Sequence, residues 1–185
     1  MRRNGRSVRS RIAVVLAVAA AVFPSAALAD DPPAADPPAP SCLPSNGLPP
    51  DGQSIRGVRV GTRALIRTAD GTPIRPSSIS YCVTGGGDFS FALTELSDVV
   101  LVTSTADGDS IGPINPSSPA QSARMAFPKM KRIVRTDKTS VYRVDNRRQL
   151  LIGIANGRVS FVAAADRLLL EYPNKLGFYL RRLSF

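Results

Sequence analysis

The chain of 185 residues contains no histidine. Without that side chain a Ser-His-Asp or Cys-His relay cannot be assembled, because nothing remains to play the usual general base. The same absence removes the commonest nitrogen ligand for zinc, and only Cys42 and Cys82 are there to offer sulfur. No metal and no cofactor is expected. Aromatic residues make up only 6% of the chain and are sparse in its most basic stretch, so nucleic-acid recognition by base stacking is not expected either. No apolar run approaches the ~20 residues that crossing a bilayer core requires, so no transmembrane segment is expected in the mature chain.

The N-terminus carries a different signal. Met1–Arg11 has five arginines and no acid, and Ile12–Phe23 is unbroken apolar sequence followed by Pro24 and small residues. This is the order of a secretory signal, and it is too short for a membrane anchor. Small side chains at Ala27 and Ala29 suit the signal peptidase, so residues 1–29 are read as a leader cleaved after Ala29. Lipidation would need a cysteine at the cut, and the first is Cys42. A secreted or extracytoplasmic location follows as the expectation. In such an oxidising compartment a Cys42–Cys82 disulfide is the default, with free or intermolecular thiols as the alternative. Closing that loop contributes roughly 4 kcal/mol in the chain-entropy picture.

Five of the 24 Lys+Arg lie in the leader, leaving 19 against 14 acids, so much of the basic character is targeting. Asp30–Pro40, reading DDPPAADPPAP, has nothing to bury and reads as an extended tether. The tether is set at 30–54 and the domain at 55–185, where Ile55, Val58 and Val60 begin an apolar pattern.

From there the expected fold is α+β, mainly antiparallel sheet with two or three short helices. Ser80–Thr105 and Val141–Asp166 align at an offset of 61, pairing Tyr81 with Tyr142, Phe91 with Ile152, Leu93 with Ile154, Val100 with Phe161 and Leu101 with Val162. Either the plan is given twice, over 55–107 and 111–166, or generic β patterning produces the match. Leu150–Ile154, Asn156-Gly157 and Arg158–Ala163 form the clearest hairpin. Ser117 or Ser118 is expected to cap a helix over Ala120–Phe127, opened by Pro119 and stopped by Pro128. Over 173–183 the spacing of Leu176, Leu180 and Leu183 predicts a helix with one apolar stripe, Arg181 and Arg182 lying at its C-terminal dipole. Thr62–Thr68 is either a short helix closed by Asp70-Gly71 or a hairpin arm, and the helix is the reading adopted.

This order of a glycine-bearing entry, short helix and curved hairpins, given twice, resembles the tandem helix-plus-sheet modules of the beta-lactamase inhibitor protein and of small outer-membrane assembly lipoproteins. The stretch Gly157–Arg167 with the helix Lys175–Leu183 is similar to the closing segment of uncharacterised exported proteins of GC-rich bacteria, a likeness covering about the last hundred residues. The first likeness is one of element order and the second implies no activity, so neither transfers site residues.

Four groups of residues invite a chemical reading. Glu95 with Asp98, and Asp166 with Glu171, are the nominal carboxylate pairs of a glycosidase-like site, but acids at turns serve solvation and capping, and the chain is read as non-enzymatic. Gly85–Gly87 lacks the Lys-Ser/Thr of a phosphate loop and reads as a hairpin turn. Asp107-Gly108-Asp109-Ser110 is too short for a calcium loop and reads as a plain turn. The fourth is charge: Arg124–Arg148 holds nine basic residues against Asp137 and Asp145, a net of +7, whereas the rest of the mature chain nets −2. Lys129, Lys131, Arg132, Arg135, Arg147 and Arg148 are the candidate anion-binding residues. The alternative is a solvated connection between helix and hairpin. The expected function is an exported binding or envelope-associated module, its partner a cell-envelope polyanion or an extracellular protein. An inhibitor of an extracellular enzyme and a carboxylate-only secreted hydrolase are the competing readings.

Overall fold

Fourteen short elements make up the fold, in a computed structural model that describes residues 42–45, 50–64, 66–67, 73–74, 76–136, 138–145 and 149–183. The leader, the tether Asp30–Pro40 and the pair Arg147 and Arg148 lie outside the described residues. In chain order the strands are β1 (Ser54–Ile55), β2 (Val58–Arg59), β3 (Ile66–Arg67), β4 (Pro73–Ile74), β5 (Ser78–Cys82), β6 (Asp88–Leu93) and β7 (Val99–Ser104). Helix α1 (Ala120–Ala126) follows, then β8 (Lys131–Arg135), β9 (Ser140–Arg143), β10 (Leu150–Ala155) and β11 (Arg158–Ala165). Helices α2 (Arg167–Glu171) and α3 (Pro173–Arg182) end the fold.

Seven strands form one antiparallel sheet in the order β5-β6-β7-β11-β10-β9-β8. It is two meanders laid side by side, β5 to β7 and β8 to β11, whose last strands pair at the centre through Leu101↔Ala165, Val102↔Ala164, Thr103↔Ala163 and Ser104↔Val162. Both faces are covered, which is why Phe89–Leu93 and Leu150–Ile152 are buried without a polar interruption wider than Ser90. One face carries Phe89, Phe91, Val102, Leu150, Ile152 and Val162 against Ile55, Val60, Ile111, Ile114 and Ala123, which come from the N-terminal hairpins, the 105–119 connection and α1. The other carries Leu101, Val141, Leu151, Phe161 and Ala163 beneath Leu169 and Leu170 of α2 and Leu176, Leu180 and Leu183 at α3. Each such leucine contributes roughly 1.5–3 kcal/mol by leaving water. Gly153 opposes Phe161 across the ladder, and a Cβ there would lie 2.2 Å from the ring, so only glycine admits the aromatic at this position.

The fold class, the Cys42–Cys82 bridge, the Asn156-Gly157 hairpin and the buried stripe of α3 agree with the sequence reading. Three local expectations do not. The described residues of 62–68 form no helix: Ile66 pairs with Ile74 and Arg67 with Pro73, the hairpin alternative, while Gly61, Thr62 and Ala64 exchange backbone hydrogen bonds with Ser97 and Val99. Neither Ser117 nor Ser118 caps α1, whose N-cap is Pro119. Ser117 takes a left-handed φ of 71°, and the Ser118 hydroxyl is spent on the Asn115 side chain and backbone. Finally, the 61-residue offset holds from β6 to β10 but not beyond. Leu101 pairs with Ala92 as Phe161 pairs with Gly153, an offset of 60 in the third strand, so Leu101 answers Phe161 and not Val162; in the first strand Ile79 pairs with Phe91 as Tyr142 pairs with Ile152, so Tyr142 answers Ile79 and not Tyr81. The described fold also includes Cys42–Ser45 and residues 50–54 ahead of Ile55.

Candidate functional site

The basic stretch does not form a loose connection. Lys131-Arg132-Ile133-Val134-Arg135 places a β-branched pair between cations and forms β8, which pairs with β9 alone and so makes one edge of the sheet. Val134 and Ile133 turn inward against the α2–α3 face, where Val134 Cγ2 lies near Gly177 of α3. The register slips by one residue between Arg132 and Val134, a bulge that leaves Ile133 without a partner on β9. Lys131 stands opposite Arg143, Arg132 opposite Tyr142 and Arg135 opposite Ser140. From α1, Arg124 reaches over the Tyr142 ring at 5.4 Å and donates from Nη2 to Tyr142 Oη at 3.3 Å. Lys129 lies in the turn between α1 and β8.

Arg124, Lys129, Lys131, Arg132 and Arg135 are all exposed, and none of the five pairs with a carboxylate among the described residues. Four of the six candidate anion-binding residues are thus gathered at one sheet edge. Arg147 and Arg148 lie outside the described residues. Tyr142 and Arg124 complete the surface. Arg124 belongs to the basic stretch by sequence, but its contact with Tyr142, the partner of Arg132, is what brings it to this surface.

The other candidates have structural employment. Asp98 pairs with Arg63 at 3.3 Å, and Glu95 lies on the exposed turn that follows β6. Asp166 accepts the Leu168 N–H at 2.9 Å as N-cap of α2, and Glu171 pairs with Arg167 one turn away. Gly85–Gly87 closes the β5–β6 hairpin, where the Val83 N–H bonds to Gly87 O at 3.0 Å. Asp109 is committed to a buried ion pair with Arg56, Nε to Oδ2 at 2.6 Å with side-chain exposures of 6% and 3%, and it also accepts the Ser104 hydroxyl. The same guanidinium donates to Pro44 O and Ser45 O, clasping the N-terminal strand that the disulfide already holds. Among the described residues no three His, Cys, Asp or Glu side chains group in a way that could hold a metal ion.

Two open depressions flank the outer side of α3. One of about 430 Å³ is lined by Asn174, Lys175, Phe178 and Tyr179. The other, about 220 Å³, lies between Pro76, Leu93, Glu95, Tyr179 and Arg182. Among the described residues no helix is long and apolar enough to cross a membrane. No family model, no curated protein and no solved structure matches this chain.

Proposed function

We propose that this protein is an exported, non-enzymatic binding module that holds an anionic polymer of the cell envelope along its basic β8 edge. The observation that carries the reading is the gathering of five exposed cations without carboxylate partners among the described residues, four of them within seven positions of the chain. A sheet edge with one sign of charge concentrates a counter-charged chain and speeds encounter, with steep salt dependence. Charge on an edge strand also discourages edge-to-edge pairing with other sheets. That role accounts for Lys131, Arg132 and Arg135, but not for Arg124 and Lys129, which lie off the strand. Export is supported by the arginine-rich leader sequence and by the Cys42–Cys82 bridge.

The doubled plan is part of the proposal. β5, β6 and β7 correspond in order and pairing to β9, β10 and β11, and each meander is interrupted at the same place, between Ala92 and Leu93 and between Gly153 and Ile154. That coincidence of bulges supports descent from one duplicated unit, whose first copy carries hairpins where the second carries α1 and β8.

The test is retention on a sulfated polysaccharide column across a salt gradient. The Lys131→Ala, Arg132→Ala, Arg135→Ala triple variant is expected to elute at markedly lower salt than the parent protein. Equal elution would remove the polymer reading, and capture of one acidic protein at equal stoichiometry, insensitive to the triple change, would replace it.

A further inference from the structure

The large apolar side chains exposed among the described residues are Tyr81, Leu96, Met125, Leu168, Tyr172 and Phe178, and of these six Leu168 lies on α2, Phe178 on α3 and Tyr172 between them. Clustered exposed apolar surface marks a contact site more often than scattered single residues do. Leu168 and Tyr172 are one helical turn apart, and from Tyr172 the contacts run on without a gap. Lys175 Nζ lies 5.0 Å above the Tyr172 ring, Lys175 and Phe178 share a depression, and the Arg182 guanidinium lies 4.2 Å above the Phe178 ring. Arg181 is exposed as well, but its Nη1 lies by Gly177, on the flank of α3 that faces β8. The inner side of the same helix is fully occupied by Leu176, Gly177 and Leu180, so this outer stripe is free of the core.

From this we infer that the outer face of α2 and α3 is a docking surface for an anionic lipid bilayer, with Leu168, Tyr172 and Phe178 entering the interfacial zone and Lys175 and Arg182 meeting phosphate headgroups. The chemistry matches in kind and in shape. Aromatic rings with an apolar body settle at the headgroup level of a bilayer, and long cationic side chains lay their stems along apolar surface while keeping their charge in water. The described residues 167–183 carry four basic residues and one acid, Glu171, already paired with Arg167, and the one further acid lining a depression here is Glu95, near Phe178 and Arg182. The surplus is complementary to an anionic surface. The larger depression is lined by four residues of a single helix, which cannot enclose a small solute but can lie against a plane. This surface is separate from the proposed polymer-binding edge, although α3 packs on β8.

The chain has no tryptophan, so a single one reports on one place. Phe178→Trp in the full chain is expected to show a blue-shifted emission, quenched by brominated lipid, on vesicles of equal parts phosphatidylglycerol and phosphatidylcholine. It should not do so on phosphatidylcholine alone. Met125→Trp, on the exposed side of α1, should stay unquenched, which separates docking through α3 from any attachment through the leader. Replacing Lys175 and Arg182 by alanine in the Phe178→Trp chain should weaken the quenching titration about fivefold per cation removed. Quenching absent on both kinds of vesicle, equal on both, or equal at positions 125 and 178 would overturn the inference. So would the same blue shift produced by a soluble sulfated polysaccharide, since that assigns α3 to the polymer. The Lys131, Arg132, Arg135 triple variant should keep Phe178→Trp quenching within about fivefold of the parent, so the two surfaces can fail independently.

Discussion

The two edges of the sheet solve one problem in opposite ways. At the β5 edge, Leu43 adds a one-residue parallel strand, donating its N–H to Cys82 O and accepting from the Thr84 N–H, and the Cys42–Cys82 bridge makes that addition covalent. The Arg56–Asp109 pair then holds Pro44 and Ser45 in place, and Gly108 leaves room for the Ser45 carbonyl, which a Cβ would meet at 2.3 Å. At the β8 edge there is no such strap among the described residues, only cations and a bulge. An unpaired strand edge invites another chain. One edge answers with its own chain and the other with charge, and charge leaves the edge open to a partner. The functional surface is therefore expected at the edge that stability does not use.

The sharpest way to break this comparison is to loosen the strapped edge. Asp109→Ala strands the Arg56 guanidinium in a site nearly closed to water, and the expected loss is about 3–5 kcal/mol in urea unfolding. Arg56→Met with Asp109→Leu should recover most of that loss, because the cost lies in the uncompensated charge. A single Asp109→Ala variant with the parent's unfolding midpoint would show that the clasp is not a stability element. Next in size is the bridge itself. Cys42→Ser with Cys82→Ser should cost about 2–4 kcal/mol. Hydrogen exchange should accelerate at Leu43 and Thr84 before it does in β9 and β10; uniform acceleration would mean that the strap acts on the whole sheet and not on its edge.

The charged edge should respond in the other direction. Lys131→Ala, Arg132→Ala and Arg135→Ala remove solvent-exposed side chains, and each should change stability by less than about 0.5 kcal/mol. Light scattering should nevertheless show self-association in the triple variant, as the edge loses its repulsion. A triple variant that stays monodisperse but no longer binds a sulfated polymer would sharpen the contrast further, assigning these cations to binding and not to edge protection.

How far the sequence could be read follows the same division. Apolar periodicity carried the central strands, and Asn156-Gly157, with φ of 50° and 74°, carried the hairpin turn, because these depend on local pattern. The helix α2 was missed, although Asp166 ahead of Arg167-Leu168-Leu169-Leu170 is a capping signal, because the strand before it runs to Ala165 without a turn residue. Strand β8 was missed because only Ile133 and Val134 are apolar in it, and they are held by α3, an element far away in the chain. The cations were legible as composition; their gathering at an edge was not, since edge position is a property of sheet order. The Arg56–Asp109 pair, separated by 53 residues, left no local trace at all.

The smallest effect belongs to neither edge and tests the seam between the meanders. Hairpin β1–β2 packs against β7 and β11, and the Gln149 N–H ahead of β10 bonds to Gly52 O at 3.0 Å. Asp51 orders this entry by accepting from the Gln53 N–H at 3.0 Å and from Arg59 Nη2 at 2.8 Å. These hydrogen bonds, the backbone one foremost, hold its carboxyl at about 2, below the ordinary 3.8. A depressed carboxyl favours the folded state while it is ionised, so the contribution is complete above 3.8 and is lost as pH falls through about 2. Because the pair is about half exposed, solvent keeps the effect small. Asp51→Asn should therefore lower the unfolding midpoint slightly at neutral pH, and the gap from the parent protein should close between pH 3.8 and about 2. A gap that stays constant over that range would mean that the side chain acts through its shape and not its charge.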